Sequence, residues 1–345
     1  MSAKLDGPNP PIVDGETASD AAEKKSPTPR PRRRWRRWLW GFAIATPVAV
    51  GVLWILVHRI PWMGPLVANT LRSIVGVDNV AKLEDFVYSI EDRVNRTVKS
   101  DEAPKTYWQV PAPTAPVVTP PTPAEAEAGK PAPLSPFSPP EPGPVFADFG
   151  APGDGKWVPM VDPRRPEEPP RLMKTLLHPD KSRAWAELFV VAVDLRQVEV
   201  KLMSGYQEPR TEKKEAEGYV RKSKIPEEHW GALLGAFNGG FMAEHGHYGF
   251  RLDGITFIDP REDSCTLAHF SDGSYRVETW KKMADRQSDM LWFRQAPICM
   301  FEDGEIHPSL KGAHQRKWGA TLDGKTVIRR SAVCMSADKQ ILYVG

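Results

Sequence analysis

Cysteine is scarce and net charge almost nil: the 345 residues hold three cysteines, and 46 Lys and Arg against 44 Asp and Glu leave a formal charge of +2. Three cysteines make no disulfide framework, and the spacing of Cys265, Cys299 and Cys334 fits no zinc motif. They read as small core residues with scope for one disulfide, an odd number leaving a thiol free or shared between chains. A balance so close to neutral gives no support to a general nucleic-acid reading. Large apolar residues are scarce in a third place, residues 104–170, which hold 20 of the 35 prolines. A segment of that composition cannot bury enough surface to fold, so 104–170 reads as a Pro/Ala-rich linker. Polyproline geometry at about 3.1 Å per residue gives it a reach of roughly 200 Å. A plain spacer and a ligand for proline-recognition domains are both uses of such a run.

Charge is concentrated near the N-terminus. Residues 1–37 are polar and end in Arg30-Pro-Arg-Arg-Arg-Trp-Arg-Arg37, a disordered tail closed by six arginines in eight positions. The uncharged stretch 38–58 follows directly. About 20 apolar residues cover a hydrocarbon layer of roughly 30 Å, so 38–58 predicts a transmembrane helix. Trp35, Trp38, Trp40, Trp54 and Trp62 cluster near its ends, where amphipathic rings favour the interface. Arginine-rich flanks stay cytoplasmic, which places the bulk of the chain in the periplasm or outside the cell, held to the inner membrane by a single pass. The apolar stretch is longer than the core of a cleaved signal peptide, and no small-x-small site follows it. Residues 59–103 then form a juxtamembrane segment. Val80, Leu83, Phe86, Val87, Ile90 and Val94 recur at helical spacing from Asp78 to Lys99, with Asp78 or Asn79 as N-cap. This amphipathic helix has three possible uses: on the membrane surface, against a second copy, or against the main domain.

Residues 171–345 have the character of a globular domain. Ala186 to Leu195 and Val198 to Met203 read as two strands, the first apolar enough to be central. Pro226 to Gly231 suggests a short helix. Asp-Gly pairs at 253–254, 272–273, 303–304 and 323–324 each separate β-type runs, and Asp-Gly is a hairpin signal. The expected class is α+β: a strand-rich domain of mainly antiparallel or mixed sheet.

Its densest chemistry lies between Gly231 and Gly254. The apolar run Ala232 to Phe237 has the make-up of a buried strand delivering the chain to Asn238-Gly239-Gly240, where paired glycines let backbone N–H groups approach a ligand. Glu244, His245, His247, Tyr248, Arg251 and Asp253 follow closely, a density that also suits a merely polar hairpin. No cofactor is expected. A strand carrying His245 and His247 would turn both imidazoles to one face, but a two-ligand pair lacks a third metal ligand.

Phe237-Asn-Gly-Gly-Phe241, with Gly249, Asp253-Gly254, the segment Arg330 to Asp338 and Leu342-Tyr-Val344, resembles the phosphodiester glycosidase family. That is the family of the mannose 6-phosphate uncovering enzyme, whose reaction removes N-acetylglucosamine from a sugar phosphodiester. The likeness covers roughly 172–345. It implies that Asn238, Gly239, Gly240 and Arg330 line a substrate pocket, with Arg329 as the alternative guanidinium. It also implies a further aspartate-containing turn after the Arg-Ser-Ala strand, so the domain is expected to be C-terminally incomplete.

Glycosidic cleavage commonly uses two carboxyl groups, and a phosphate leaving group adds a need for cationic or N–H partners. Glu244, His247 and Asp253 are the catalytic candidates, and Asn238, Gly239, Gly240, Arg251 and Arg330 the substrate-binding ones. Asp253 serves equally as the first residue of its turn, and Arg330 as the partner of a surface carboxylate. The expected function is a membrane-tethered hydrolase of cell-envelope sugar phosphodiesters. A non-catalytic envelope glycan- or phosphoglycan-binding module and a structural envelope protein are the alternatives.

Overall fold

The structure, a computed structural model, describes residues 45–46, 48–53, 55–56, 59–60, 63–111, 136–311 and 327–345. The chain divides into two units, Met1–Ile74 and Val75–Gly345. In the first, residues 48–53 are helical and Val48, Val50 and Val52 are exposed. Much of the span expected over 38–58 lies outside the described residues, as does all of the tail 1–37. Among the described residues no helix is long and apolar enough to cross a membrane. Helix α1 (Met63–Val75) leads to the second unit.

Helix α2 (Val77–Val98) opens that unit. Gly76, at φ +88, precedes it without a side-chain cap, and Asn79 donates backwards to the Val75 carbonyl at 2.9 Å, so neither Asp78 nor Asn79 is the N-cap. Two antiparallel sheets follow. The first comprises β1 (Val158–Met160), β2 (Leu172–Leu177), β3 (Leu188–Asp194), β11 (Val333–Met335) and β12 (Ile341–Val344), in the order β1-β2-β3-β12-β11. The apolar β3 is central, as its composition predicts, whereas 198–203 runs outside any strand. The second comprises β4 (Phe250–Leu252), β5 (Ile255–Ile258), β6 (Cys265–Phe270), β7 (Tyr275–Thr279) and β8 (Met290–Ala296), in the order β5-β4-β8-β6-β7. Hairpins turn at Asp253-Gly254 and Asp272-Gly273, and the small pair β9 (Phe301–Glu302) and β10 (Glu305–Ile306) turns at Asp303-Gly304. The pair at 323–324 lies outside the described residues. The unit is thus strand-rich, antiparallel and poor in helix.

The facing sides of the two sheets share one core. Leu172, Val193 and Leu342 of the first sheet pack with Leu267 and Val277 of the second, while Phe250, Leu252, Phe257 and Trp292 extend it. On the opposite face of the second sheet, Phe270, Met290 and Phe293 are covered by Trp280 and Met283. Cys265 and Cys299 form a disulfide and Cys334 is free and exposed.

The proline-rich stretch differs from the featureless tether its composition suggests. Residues 112–135 lie outside the described residues, but both flanks are attached to the domain through aromatic side chains. Tyr107 donates to Glu187 at 2.7 Å and packs with Trp108 against Phe189. Downstream, Phe137 and Asp154 are buried, Trp157 stacks on Tyr343 at 6.1 Å, and β1 pairs with β2. Aromatics set among prolines bury large areas at few positions, which a mean composition averages away.

Candidate functional site

Residues 231–241 form no strand; Asn238, Gly239 and Gly240 are exposed, as is Phe237. This corrects the expectation of a buried strand over Ala232 to Phe237, because among the described strands none pairs with that segment. Local hydrogen bonds shape the loop instead. The Asn238 side-chain oxygen accepts from the Gly240 N–H at 3.1 Å, and Gly240 takes φ +105, a conformation costly to residues with a Cβ.

The guanidinium that organises this loop is Arg294 of β8. Its Nε donates to the Gly239 carbonyl at 3.0 Å, one terminal nitrogen to Tyr248 and Gly249 at 2.9 and 3.3 Å, and the other to Phe241. Burial depresses its pKa to about 10, and the charge of Glu208 opposes that shift. Gln295, the next residue and fully buried, accepts from Gly249 N–H at 3.0 Å and Arg261 N–H at 2.8 Å, and donates to the Arg261 carbonyl and the Thr266 hydroxyl. A Cβ on residue 249 would lie 2.6 Å from the Gln295 side-chain oxygen, so this close approach requires glycine.

Two carboxylates flank the same loop. Glu208 accepts from the N–H groups of Ala243 and Arg210, both at 3.0 Å, through one oxygen; its other oxygen is buried without a hydrogen bond, 3.6 Å from Arg210 Nε. Glu244, in the 3-10 turn Ala243–His245, also keeps a buried oxygen without a hydrogen bond, 3.8 Å from His245 Nε2. Its second oxygen lies 3.7 Å from Arg210, which therefore sits between the two acids. Arg261 closes the far side, donating to the Gly246 carbonyl and lying 5.4 Å over the Tyr248 ring.

The structure thus gathers Asn238, Gly239, Gly240, Glu244, His245 and His247 into one loop system. His247 has φ +49 and follows a turn, so the two histidines do not share the face of a strand. Among the described residues no group of three His, Cys, Asp or Glu is arranged for a metal. Arg251 and Asp253 lie toward the opposite end of the hairpin, Asp253 four residues and roughly 13 Å along the chain from Gly249. They line a cavity of about 410 Å³ with Ser288, Asp289 and Trp292. Asp253 accepts from Tyr219 at 2.7 Å, and burial together with that bond pushes the phenol up to about 12. Arg330 faces Asp85 and Tyr88 of α2, and its guanidinium is depressed by burial. The guanidinium that hydrogen-bonds the Asn-Gly-Gly loop is that of Arg294.

Sequence reasoning missed Glu208, Arg210, Arg294 and Gln295. For the last two a signal existed: Trp292-Phe293-Arg294-Gln295 places consecutive polar residues inside an apolar strand, and a polar residue in a core strand needs a partner. Compared with known proteins, the chain matches no family model and no curated sequence.

Proposed function

We propose that the strand-rich domain is a phosphodiester-glycosidase-like hydrolase acting on sugar phosphodiesters of the cell envelope. The observation that carries the reading is the pair of acids, Glu208 and Glu244, each with a buried oxygen that no hydrogen bond uses, set around Arg210 beside the exposed Asn238-Gly-Gly loop. Two carboxyl groups are the usual equipment for opening a glycosidic bond. Glu244 is assigned the role of acting on the sugar, Glu208 the partner role, and Arg210 the phosphate, whose charge a guanidinium fork matches. The Asn238 amide nitrogen and the Gly239 N–H hold the sugar phosphate from the loop side, the Gly240 N–H being engaged by the Asn238 side-chain oxygen.

The likeness to the family at Phe237 to Phe241 supports the same assignment. The Arg-rich flank and apolar stretch at 30–58 support a single-pass anchor with the domain outside the cytoplasm, and the Cys265–Cys299 disulfide suits an oxidising compartment. One observation favours a second reading, a non-catalytic glycan-binding module: the loop is open to solvent, and cavities of about 410 and 420 Å³ lie elsewhere on the domain.

Sugar release from a chromogenic sugar-1-phosphodiester by the full-length chain separates the two. The proposal expects turnover by the wild type and its loss in Asn238→Ala with unchanged thermal unfolding. Glycan binding without turnover selects the binding module.

A further inference from the structure

Helix α2 is docked to its own domain by one narrow side. Asp92 forms a two-pronged ion pair with Arg183 at 2.7 and 2.9 Å, Lys99 lies 5.8 Å over the Trp185 ring, and Asp85 faces Arg330. Positions 85 and 92 lie on one stripe of the helix, and Lys99, its C-cap residue, follows at the same spacing of seven. The opposite side carries Val80, Leu83, Val87, Ile90 and Val94, alternating steps of three and four, the a and d positions of a heptad in which 85, 92 and 99 are f. From Leu83 onward this seam is open: Leu83, Val87, Ile90 and Val94 are 53%, 52%, 45% and 53% exposed. Phe86 and Val98 widen it at 61% and 75%.

An apolar seam this long on a helix whose polar side is already engaged marks an interaction surface. We propose that α2 pairs in parallel with α2 of a second copy of this chain, forming a two-stranded coiled coil beside the membrane. Valine at a (87 and 94, with the buried Val80 before them) and leucine and isoleucine at the first two d positions, 83 and 90, favour two parallel strands, and Thr97 at the third d position ends the apolar seam. An antiparallel pair would set Glu84 of one helix near Glu91 of the other, whereas a parallel pair does not oppose these e-position charges. A bilayer surface suits the helix less well. Between residues 77 and 98 it carries Asp78, Glu84, Asp85, Glu91 and Asp92 against Lys82, Arg93 and Arg96, a formal charge of −2, which anionic lipid repels. The 22 residues are short for an isolated coiled coil, but two chains confined to one membrane raise each other's effective concentration.

The test uses the full-length chain in detergent, with Cys334→Ser removing the free thiol. Mild oxidation should link two chains through Val87→Cys, at an a position, and leave Lys82→Cys, at the exposed c position, unlinked. The double variant Val87→Glu, Ile90→Glu should raise the dimer dissociation constant roughly 100-fold or more, since two aliphatic pairs leave the seam, while domain unfolding stays where it was. A wild-type chain that remains monomeric at micromolar concentration overturns the proposal. So does linkage through Lys82→Cys equal to that through Val87→Cys, and linkage only when Val87→Cys is mixed with Ile90→Cys overturns the parallel arrangement. None of these readouts involves the hydrolase activity.

Discussion

Replacing Arg294 by methionine removes the group that holds the Asn238 loop, and the structure indicates how the cost divides. The guanidinium gives hydrogen bonds to the carbonyls of Gly239, Phe241, Tyr248 and Gly249. Gly239 is exposed and Phe241 partly so, so once released both carbonyls can turn to water. The bonds at the Tyr248 and Gly249 end are the costly ones, at roughly 1.5–3 kcal/mol each for a charged donor. Against that stands the burial of the guanidinium, whose pKa of about 10 corresponds to roughly 3 kcal/mol recovered when the charge goes. The terms nearly cancel, leaving a net loss of about 0–3 kcal/mol. At about 2–4 °C per kcal/mol for a domain of this size, the melting temperature falls by less than about 12 °C. The loop is affected far more, because its shape depends on this side chain. Hydrogen exchange of the amides over 238–249 should accelerate strongly while the β3 and β6 amides remain protected. Loop exchange identical to wild type, or a cooperative loss of protection throughout, would refute the assignment of Arg294 as the loop's organiser.

Two further outcomes follow from residues outside the loop. Cys265 and Cys299 are 34 residues apart, and opening a loop of that length through Cys265→Ala with Cys299→Ala should cost about 4 kcal/mol, or roughly 8–16 °C in melting temperature; an unchanged midpoint in calorimetry contradicts it. His269 is buried against Tyr275, the rings nearly parallel at 4.2 Å, and burial depresses its imidazole below the ordinary value, with Glu199 and Asp272 opposing. A base whose folded pKa lies below its unfolded one stabilises the fold above about pH 6.5 and loses that contribution as the pH falls. Wild-type melting should therefore drop more steeply between about pH 7 and 5 than that of His269→Phe, and parallel slopes would remove His269 as the cause.

The parts of the fold legible in the sequence were those fixed by short-range physics. Asp-Gly at 253, 272 and 303 turns three hairpins because those pairs tolerate φ > 0, and the unbroken apolar run of β3 sits mid-sheet. Helix α2 followed from its 3.6-residue period, though its first turn did not follow from its polar residues. The candidate site was harder to read because its residues come from separate segments. Asn238, Gly240 and Glu244 lie in one conspicuous motif, but Glu208 and Arg210 come from a lysine-rich loop that resembles a solvated surface, and Arg294 from a strand whose apolar neighbours draw attention from it. Arg330, taken from a family likeness, instead faces α2, whose acidic stripe at Asp85 and Asp92 gives nearby arginines a local partner.

The central claim is that Glu244 acts directly on a sugar phosphodiester held at the Asn238 loop. The most direct measurement is kcat for sugar release from a chromogenic sugar-1-phosphodiester by the full-length wild type and by Glu244→Gln, each verified as folded by its melting temperature. The account predicts measurable wild-type turnover and a fall in kcat of at least about 100-fold in the variant, the scale of a lost acid or base. Equal rates in the two proteins would contradict it.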